Sequence, residues 1–261
     1  MKLFFRKLGQ GKPLIILHGL FGQSDNWNTL AKKYAESGYE VWVIDQRNHG
    51  LSPHSDIWNY DAMAEDLREL IEKENLVQPV LLGHSMGGKT VMFFDLLFPG
   101  IAEKIIVADI SPRAYPPHHN KVLEALLSLD LFQLDSRKKT EDHLTSFQLD
   151  FGTRQFLLKN LYRLDETESA AKQQTFNWRF NLSVISDNIS EVNKPVPTGK
   201  GSCPYLFVKG SASDYILDSD EEQIKILFPD SKIECIDGAG HWLHAEKPEE
   251  FLRVTLDFMN S

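Results

Sequence analysis

One serine in the chain stands where a nucleophile would need to stand: Ser85, within Gly83-His84-Ser85-Met86-Gly87-Gly88. A serine hydroxyl is a poor nucleophile at neutral pH. It needs a base to take its proton and a third group to orient that base. It also needs donors for the oxyanion that forms on the substrate. The chain has 9 histidines to supply the base. His241, in Gly238-Ala239-Gly240-His241-Trp242, follows the last predicted strand. Loops at the carboxyl ends of parallel strands are where such sheets place their sites. His49 lies in a loop at the same edge and is its rival. His244 reads as a packing residue. Two aspartates can serve as the acid, and both keep the chain order Ser, Asp, His. Asp109 comes straight off the strand after the serine and is preferred. Asp214, in Gly210-Ser211-Ala212-Ser213-Asp214-Tyr215-Ile216, is the alternative. It falls one residue late for a Gly-x-x-Asp loop, whose slot here holds Ser213. The oxyanion donors expected are the backbone N–H groups of Met86, after the serine, and of Leu20, in His18-Gly19-Leu20-Phe21-Gly22, with Phe21 second for the latter.

Such a set works only if the elements around it hold it. Val80-Leu81-Leu82 reads as a strand and Lys89 to Phe98 as a helix. Strand, G-x-S-x-G, helix is the context that holds a serine exposed on a sharp turn. Strands are also predicted over Lys2–Leu8, Pro13–Leu17, Glu40–Ile44, Lys104–Asp109, Tyr205–Val208 and Lys232–Ile236. Apolar runs such as Pro13–Leu17 suit strands buried on both faces. Between them fall helical periods: Trp27, Leu30, Tyr34, Ala35, with Ser24 or Asp25 as cap; Met63, Ala64, Leu67, Leu70, Ile71; Asp220–Leu227; and Pro248–Met259. Strands alternating with helices mean βαβ units and a mostly parallel sheet. Residues 111–200 break the alternation. They contain helical stripes, such as Val122, Leu123, Leu126 and Leu127, and no convincing strand. They read as a helical insertion that ends in the Pro/Gly linker 194–201. Phe147, Phe151, Phe176 and Trp178 are its candidates for an acyl pocket. Most such aromatics are expected to anchor the insertion.

Composition narrows the partners. The chain has 261 residues, 42% hydrophobic and 25% charged, with a net charge of -9. That is ordinary for a globular enzyme. An acidic surface repels phosphate backbones and anionic headgroups, so nucleic acid is not expected as a partner. No stretch is apolar enough to span a membrane. Arg6 and Lys7 fall where a signal peptide would still be apolar, so a cytoplasmic location is the default. The 2 cysteines, Cys203 and Cys235, fall at opposite ends of neighbouring strands, too far apart for a disulfide. They read as buried or half-buried free thiols. Arg47, Asn48 and His49 read as a loop-stabilising network. His118-His119 has no companions spaced to hold a metal, and no metal is expected. Arg137-Lys138-Lys139 reads as a solvated patch.

The whole pattern resembles the α/β-hydrolase superfamily. The likeness runs nearly end to end: the His18-Gly19 loop, the serine turn, the helical insertion and the terminal Gly-x-Gly-His. More narrowly, His18-Gly19-Leu20-Phe21-Gly22, Asp45-Gln46-Arg47-Asn48-His49-Gly50 and Ala108-Asp109-Ile110-Ser111-Pro112 look like the YbfF-type bacterial esterases and related mitochondrial abhydrolase-domain proteins. The resemblance implies an α/β-hydrolase fold: a mostly parallel twisted sheet flanked by helices. Residues 1–110 and 201–261 would form the core. Residues 111–200 would form a lid between the sixth and seventh strands of the fold. It implies a cytosolic serine carboxylesterase or thioesterase acting on short to medium acyl esters, with no cofactor. In that subgroup the acid is associated with the Asp109 position, and Asp214 departs from the pattern. A cofactor-free perhydrolase or haloperoxidase, a C–C bond hydrolase, and a non-catalytic ligand-binding protein on the same fold remain as alternatives.

Overall fold

A computed structural model describes residues 1–261. Seven strands form the central sheet: β1 (Phe4–Leu8), β2 (Lys12–Leu17), β3 (Tyr39–Asp45), β4 (Val80–His84), β5 (Lys104–Ala108), β8 (Tyr205–Gly210) and β9 (Ser231–Ile236). Their order is β1-β3-β2-β4-β5-β8-β9. Only β1 runs antiparallel, along β3 at one edge. The other neighbours are parallel. β4 therefore lies in the middle of the sheet, and every residue of β4 and β5 is buried. This is why both read as unbroken apolar runs rather than alternating ones.

The two faces sort by strand period. Ile15, Leu17, Leu81, Ile105, Val107, Tyr205 and Phe207 point to one side. Here they meet α2 (Tyr60–Lys73), α3 (Met86–Leu97) and α10 (Glu221–Leu227). Leu14, Ile16, Val80, Leu82, Ile106, Leu206 and Val208 point to the other. There α1 (Asn28–Glu36), α11 (Leu243–Glu246) and α12 (Pro248–Asn260) cover them. Asn59 caps α2 by accepting from the Ala62 N–H at 2.8 Å, satisfying an otherwise orphan donor. Neither Ser24 nor Asp25 caps α1. Ser24–Trp27 forms a 3-10 turn, and α1 starts after it. The Ser24 N–H instead donates to Asp45 Oδ1 at 2.5 Å, tying this turn to the end of β3.

The 111–200 segment leaves after β5 and returns before β8. It contains α4 (Asn120–Leu127), α5 (Arg137–Ser146), α6 (Phe151–Leu158), α7 (Glu166–Lys172), α8 (Leu182–Asp187) and α9 (Ile189–Val192). The expectation that it holds no strand is wrong. β6 (Leu161–Arg163) and β7 (Phe176–Trp178) pair antiparallel. Each has only three residues, too short for a period-2 pattern to register in sequence. β5 and β8 are the fifth and sixth strands along this sheet. Both cysteines are free, but Cys235 is exposed rather than buried. It sits on β9, the edge strand, where one flank has no neighbour. No helix is long and apolar enough to cross a membrane.

Candidate active site

The sheet register brings the serine and one aspartate to the same level. Gly83 pairs with Val107 and His84 with Ala108. Ser85 and Asp109 are thus the first residues beyond two adjacent strands. Both carry a positive φ, 53° and 50°, a region costly for residues with a Cβ. The Ser85 N–H still donates to Ala108 O at 3.0 Å, and the Asp109 N–H to Val208 O at 2.9 Å. The ladder thus continues one step past each strand and holds the strained residue in place.

The glycines explain how the turn closes. A Cβ on Gly83 would sit 2.1 Å from Gly87 O, and one on Gly87 2.5 Å from Leu17 O. Strand, helix and the neighbouring β2 end cannot approach this closely with any side chain there. A Cβ on Gly19 would meet His84 Nδ1 at 2.9 Å and Ser85 Cβ at 3.2 Å. The Gly19 loop therefore packs directly against the serine. Met86 opens α3, so its N–H belongs to the first turn, which has no intrahelical acceptor. Leu20 and Phe21 line the cavity in front of Ser85.

His241 meets Asp109. Its Nδ1 lies 2.8 Å from Asp109 Oδ2; the histidine side chain is 24% exposed and the aspartate 0%. The Gly210 N–H donates to Asp109 Oδ1 at 3.2 Å, and the Ser213 hydroxyl donates to Oδ2. Burial raises the Asp109 pKa to about 6, against the lowering effect of these two donors. Burial pushes His241 down to about 3, helped by His118. Its imidazole is therefore neutral at pH 7. With Nδ1–H given to Asp109, Nε2 carries a free lone pair, the state a general base needs. The ring stacks on Tyr215, centroids 3.8 Å apart at 18°. His84 Nε2 donates to the His241 carbonyl at 2.8 Å. The residue before the serine thus ties down the loop that carries the histidine.

Ser85 and His241 line one cavity of about 410 Å³. Asp214 is placed elsewhere. It is exposed, and its backbone oxygen accepts from Arg113 Nη2 at 3.1 Å. Its neighbour Ser213 takes the place at Asp109 that a one-residue-earlier acid would have had. His49 is fully buried, bonded to Arg47 O, and outside the cavity. His244 lines the cavity but is 7% exposed and stacked on Trp27 at 4.2 Å. Arg47 and Asn48 are occupied within the protein, with Asp66 and with the Ser55 backbone.

Phe147, Phe176 and Trp178 anchor the 111–200 segment to the core, as expected of most of these aromatics. Phe147, Phe151, Phe176 and Trp178 do not line the cavity; Val122, Phe156 and Leu157 do, beside Trp242. Phe151 is 66% exposed, because it opens α6 on the face turned away. The ring of Phe156 lies 5.5 Å from that of Trp242. Ser213, Tyr215 and His84 are not legible in the sequence as parts of this site. Only the first carries a signal, since it fills the slot from which the usual acid is missing.

A family model for the alpha/beta hydrolase fold matches residues 12–248. The chain belongs to that family. Among its relatives, the sn-1-specific diacylglycerol lipase ABHD11 of Xenopus tropicalis is 37% identical over 96% of this chain and 79% of its own. Esterase YbfF of Escherichia coli is 31% identical over 95% of this chain and 93% of its own. A solved marine microorganism esterase superposes with a TM-score of 0.93 at 43% identity, covering 99% of both chains. The chain thus resembles the YbfF esterases and abhydrolase-domain proteins specifically, and not merely the fold.

Proposed function

We propose that this protein hydrolyses short to medium acyl esters or thioesters through an acyl-enzyme on Ser85. The observation that carries this reading is the contact of His241 Nδ1 with Asp109 at the rim of the cavity that holds Ser85. The esterase and lipase names of its relatives point the same way.

In this reading Ser85 Oγ attacks the substrate carbonyl carbon while His241 Nε2 takes the hydroxyl proton. The Nδ1–H bond to Asp109 holds the correct tautomer and stabilises the imidazolium that forms. The Met86 and Leu20 N–H groups bind the oxyanion. They need no reorganisation, because one is fixed by a helix start and the other by a loop packed on Ser85. His241 then returns its proton to the leaving alcohol or thiol as the tetrahedral adduct collapses. Water, deprotonated by the same Nε2, releases the acid. Every group used is the protein's own, so no cofactor enters. Residues 111–200 act as a cap over the serine, and Val122, Phe156 and Leu157 supply its apolar wall.

The test is hydrolysis of p-nitrophenyl esters from acetate to octanoate by wild type and Ser85→Ala. Wild type should turn over with a burst, and the variant should lose about 10³-fold or more in kcat. Equal slow rates for both proteins on every ester would reject the reading.

A further inference from the structure

Lys89 has no place in the mechanism above, yet it is buried to 0% exposure beside it. It sits on α3, one helical turn beyond Ser85, and its N–H takes the Ser85 carbonyl as its helical acceptor at 3.1 Å. Its Nζ forms no salt bridge, and burial, helped by the nearby Arg113 charge, pushes its pKa down to about 7. A buried cation without a counter-ion is expensive. What surrounds it must therefore be worth holding. Nζ donates to Arg113 O at 3.0 Å and to Lys194 O, and lies 4.8 Å from the centre of the Tyr115 ring.

Those two carbonyls belong to different strands of chain. Arg113 is in the stem by which the 111–200 segment leaves the sheet, and Lys194 in the stem by which it returns. The stems also bind each other directly: the Tyr115 N–H donates to Asn193 O at 2.9 Å and the Val196 N–H to Pro112 O at 2.8 Å. Tyr115 passes the connection on. Its hydroxyl accepts from the Ser111 N–H at 2.7 Å and donates to the carbonyl of Tyr215. Tyr215 is the residue whose ring stacks on His241.

We infer that Lys89 is a positioning residue that clasps both stems of the 111–200 segment and seats its acyl wall at a fixed height over Ser85. The helix that presents the nucleophile thereby also sets the depth of the pocket. A flexible stem that ends in freely rotating N–H donors suits this task. It can satisfy two carbonyls from separate segments and turn its remaining face to an aromatic ring. The inference rests on the cap reading given above, but its test does not depend on ester hydrolysis alone.

The experiment is Lys89→Met, which keeps the stem of the side chain and removes the donors. Lys89→Gln, able to serve one carbonyl, stands in if the apolar variant does not fold. Hydrogen–deuterium exchange reads the clasp without any substrate. The Tyr115 and Val196 amides should exchange about tenfold faster or more than in wild type. On the ester panel, KM for octanoate should rise about tenfold while kcat for acetate stays within about twofold, the pattern of lost binding rather than lost chemistry. Lys89→Arg, which retains charge and several donors, should recover most of the octanoate KM. Unchanged exchange at both stem amides would overturn the inference. So would an equal fall in kcat on every ester with the stems unchanged, which would make Lys89 a support of the serine turn. If wild type hydrolysed no ester at all, the function proposed above would fail, while the exchange result would still decide whether Lys89 clasps the stems.

Discussion

The carboxyl edge of the sheet and the 111–200 segment face each other across one cavity, and they are built on opposite principles. At the sheet edge, position is set by backbone. Ser85 and Asp109 sit one step beyond paired strands, and glycines at 83 and 87 allow approaches that a Cβ would forbid. Strain there is held by ladder hydrogen bonds on each side. In the 111–200 segment, position is set by side chains. Short helices and a pair of three-residue strands pack through residues such as Leu157, Leu158 and Trp178. The contrast implies a division of labour. Under the proposed function, the backbone-set edge would fix the chemistry, and the side-chain-built wall would fix which substrates reach it.

The sharpest way to break this comparison is at the acid. Asp109→Asn keeps the shape of the site but reverses the hydrogen bond that sets the tautomer of His241. Turnover should fall by about 10³- to 10⁴-fold, with KM little changed. Asp214→Asn, one residue beyond Ser213 and exposed, should change turnover less than about twofold. Kinetics of the two variants on a single ester decides it. The reverse ranking would hand the role to Asp214 and would mean that the sheet register does not set the chemistry.

Much of that edge is legible in the amino-acid sequence, for physical reasons. A serine set between glycines after an apolar run fits few backbone shapes besides a tight strand-to-helix turn. A strand end followed by Asp places its carboxylate at the sheet edge without further adjustment. Residues 111–200 are legible only as a helical region. Residue type cannot say which of its aromatics meet the cavity: Phe151 faces solvent while Phe156, five residues on, faces the cavity. Period alone cannot tell which face of a short helix meets a cavity when both faces carry large apolar residues. The β6–β7 pair escapes sequence reading because three residues carry no periodicity. The Ser213–Asp109 bond escapes it because it joins residues far apart in the chain, a separation that local pattern cannot report.

A subtler probe of the same edge uses pH. Burial disfavours the charged form of both groups, pushing His241 down and Asp109 up. The two titrate as a pair, and the form that works has Asp109 ionised and His241 neutral. As pH falls through about 6, the pair takes up a proton and the working form is lost. kcat/KM should therefore drop on the acid side of about pH 6 and level off above it. Ser213→Ala removes a donor that favours the ionised carboxylate. Its acid limb should move to higher pH, with roughly a two- to tenfold loss at pH 7. An unmoved limb in Ser213→Ala would show that burial alone sets the acid, and that the Ser213 hydroxyl is a bystander.

The smallest effect should come from the wall itself. Phe156 meets Trp242 beside the cavity, and truncating it to alanine removes apolar area that only a long acyl chain would cover. KM for octanoate should rise about three- to tenfold, with kcat for acetate unchanged. Phe151→Ala is the matched control on the same helix. Its ring is exposed and outside the cavity, so neither constant should move. If the two variants behaved alike, selectivity would not reside in the side chains of α6. If Phe156→Ala lowered kcat on acetate and octanoate equally, the wall would be part of the chemical machinery, and the division between backbone-set edge and side-chain-built wall would not hold.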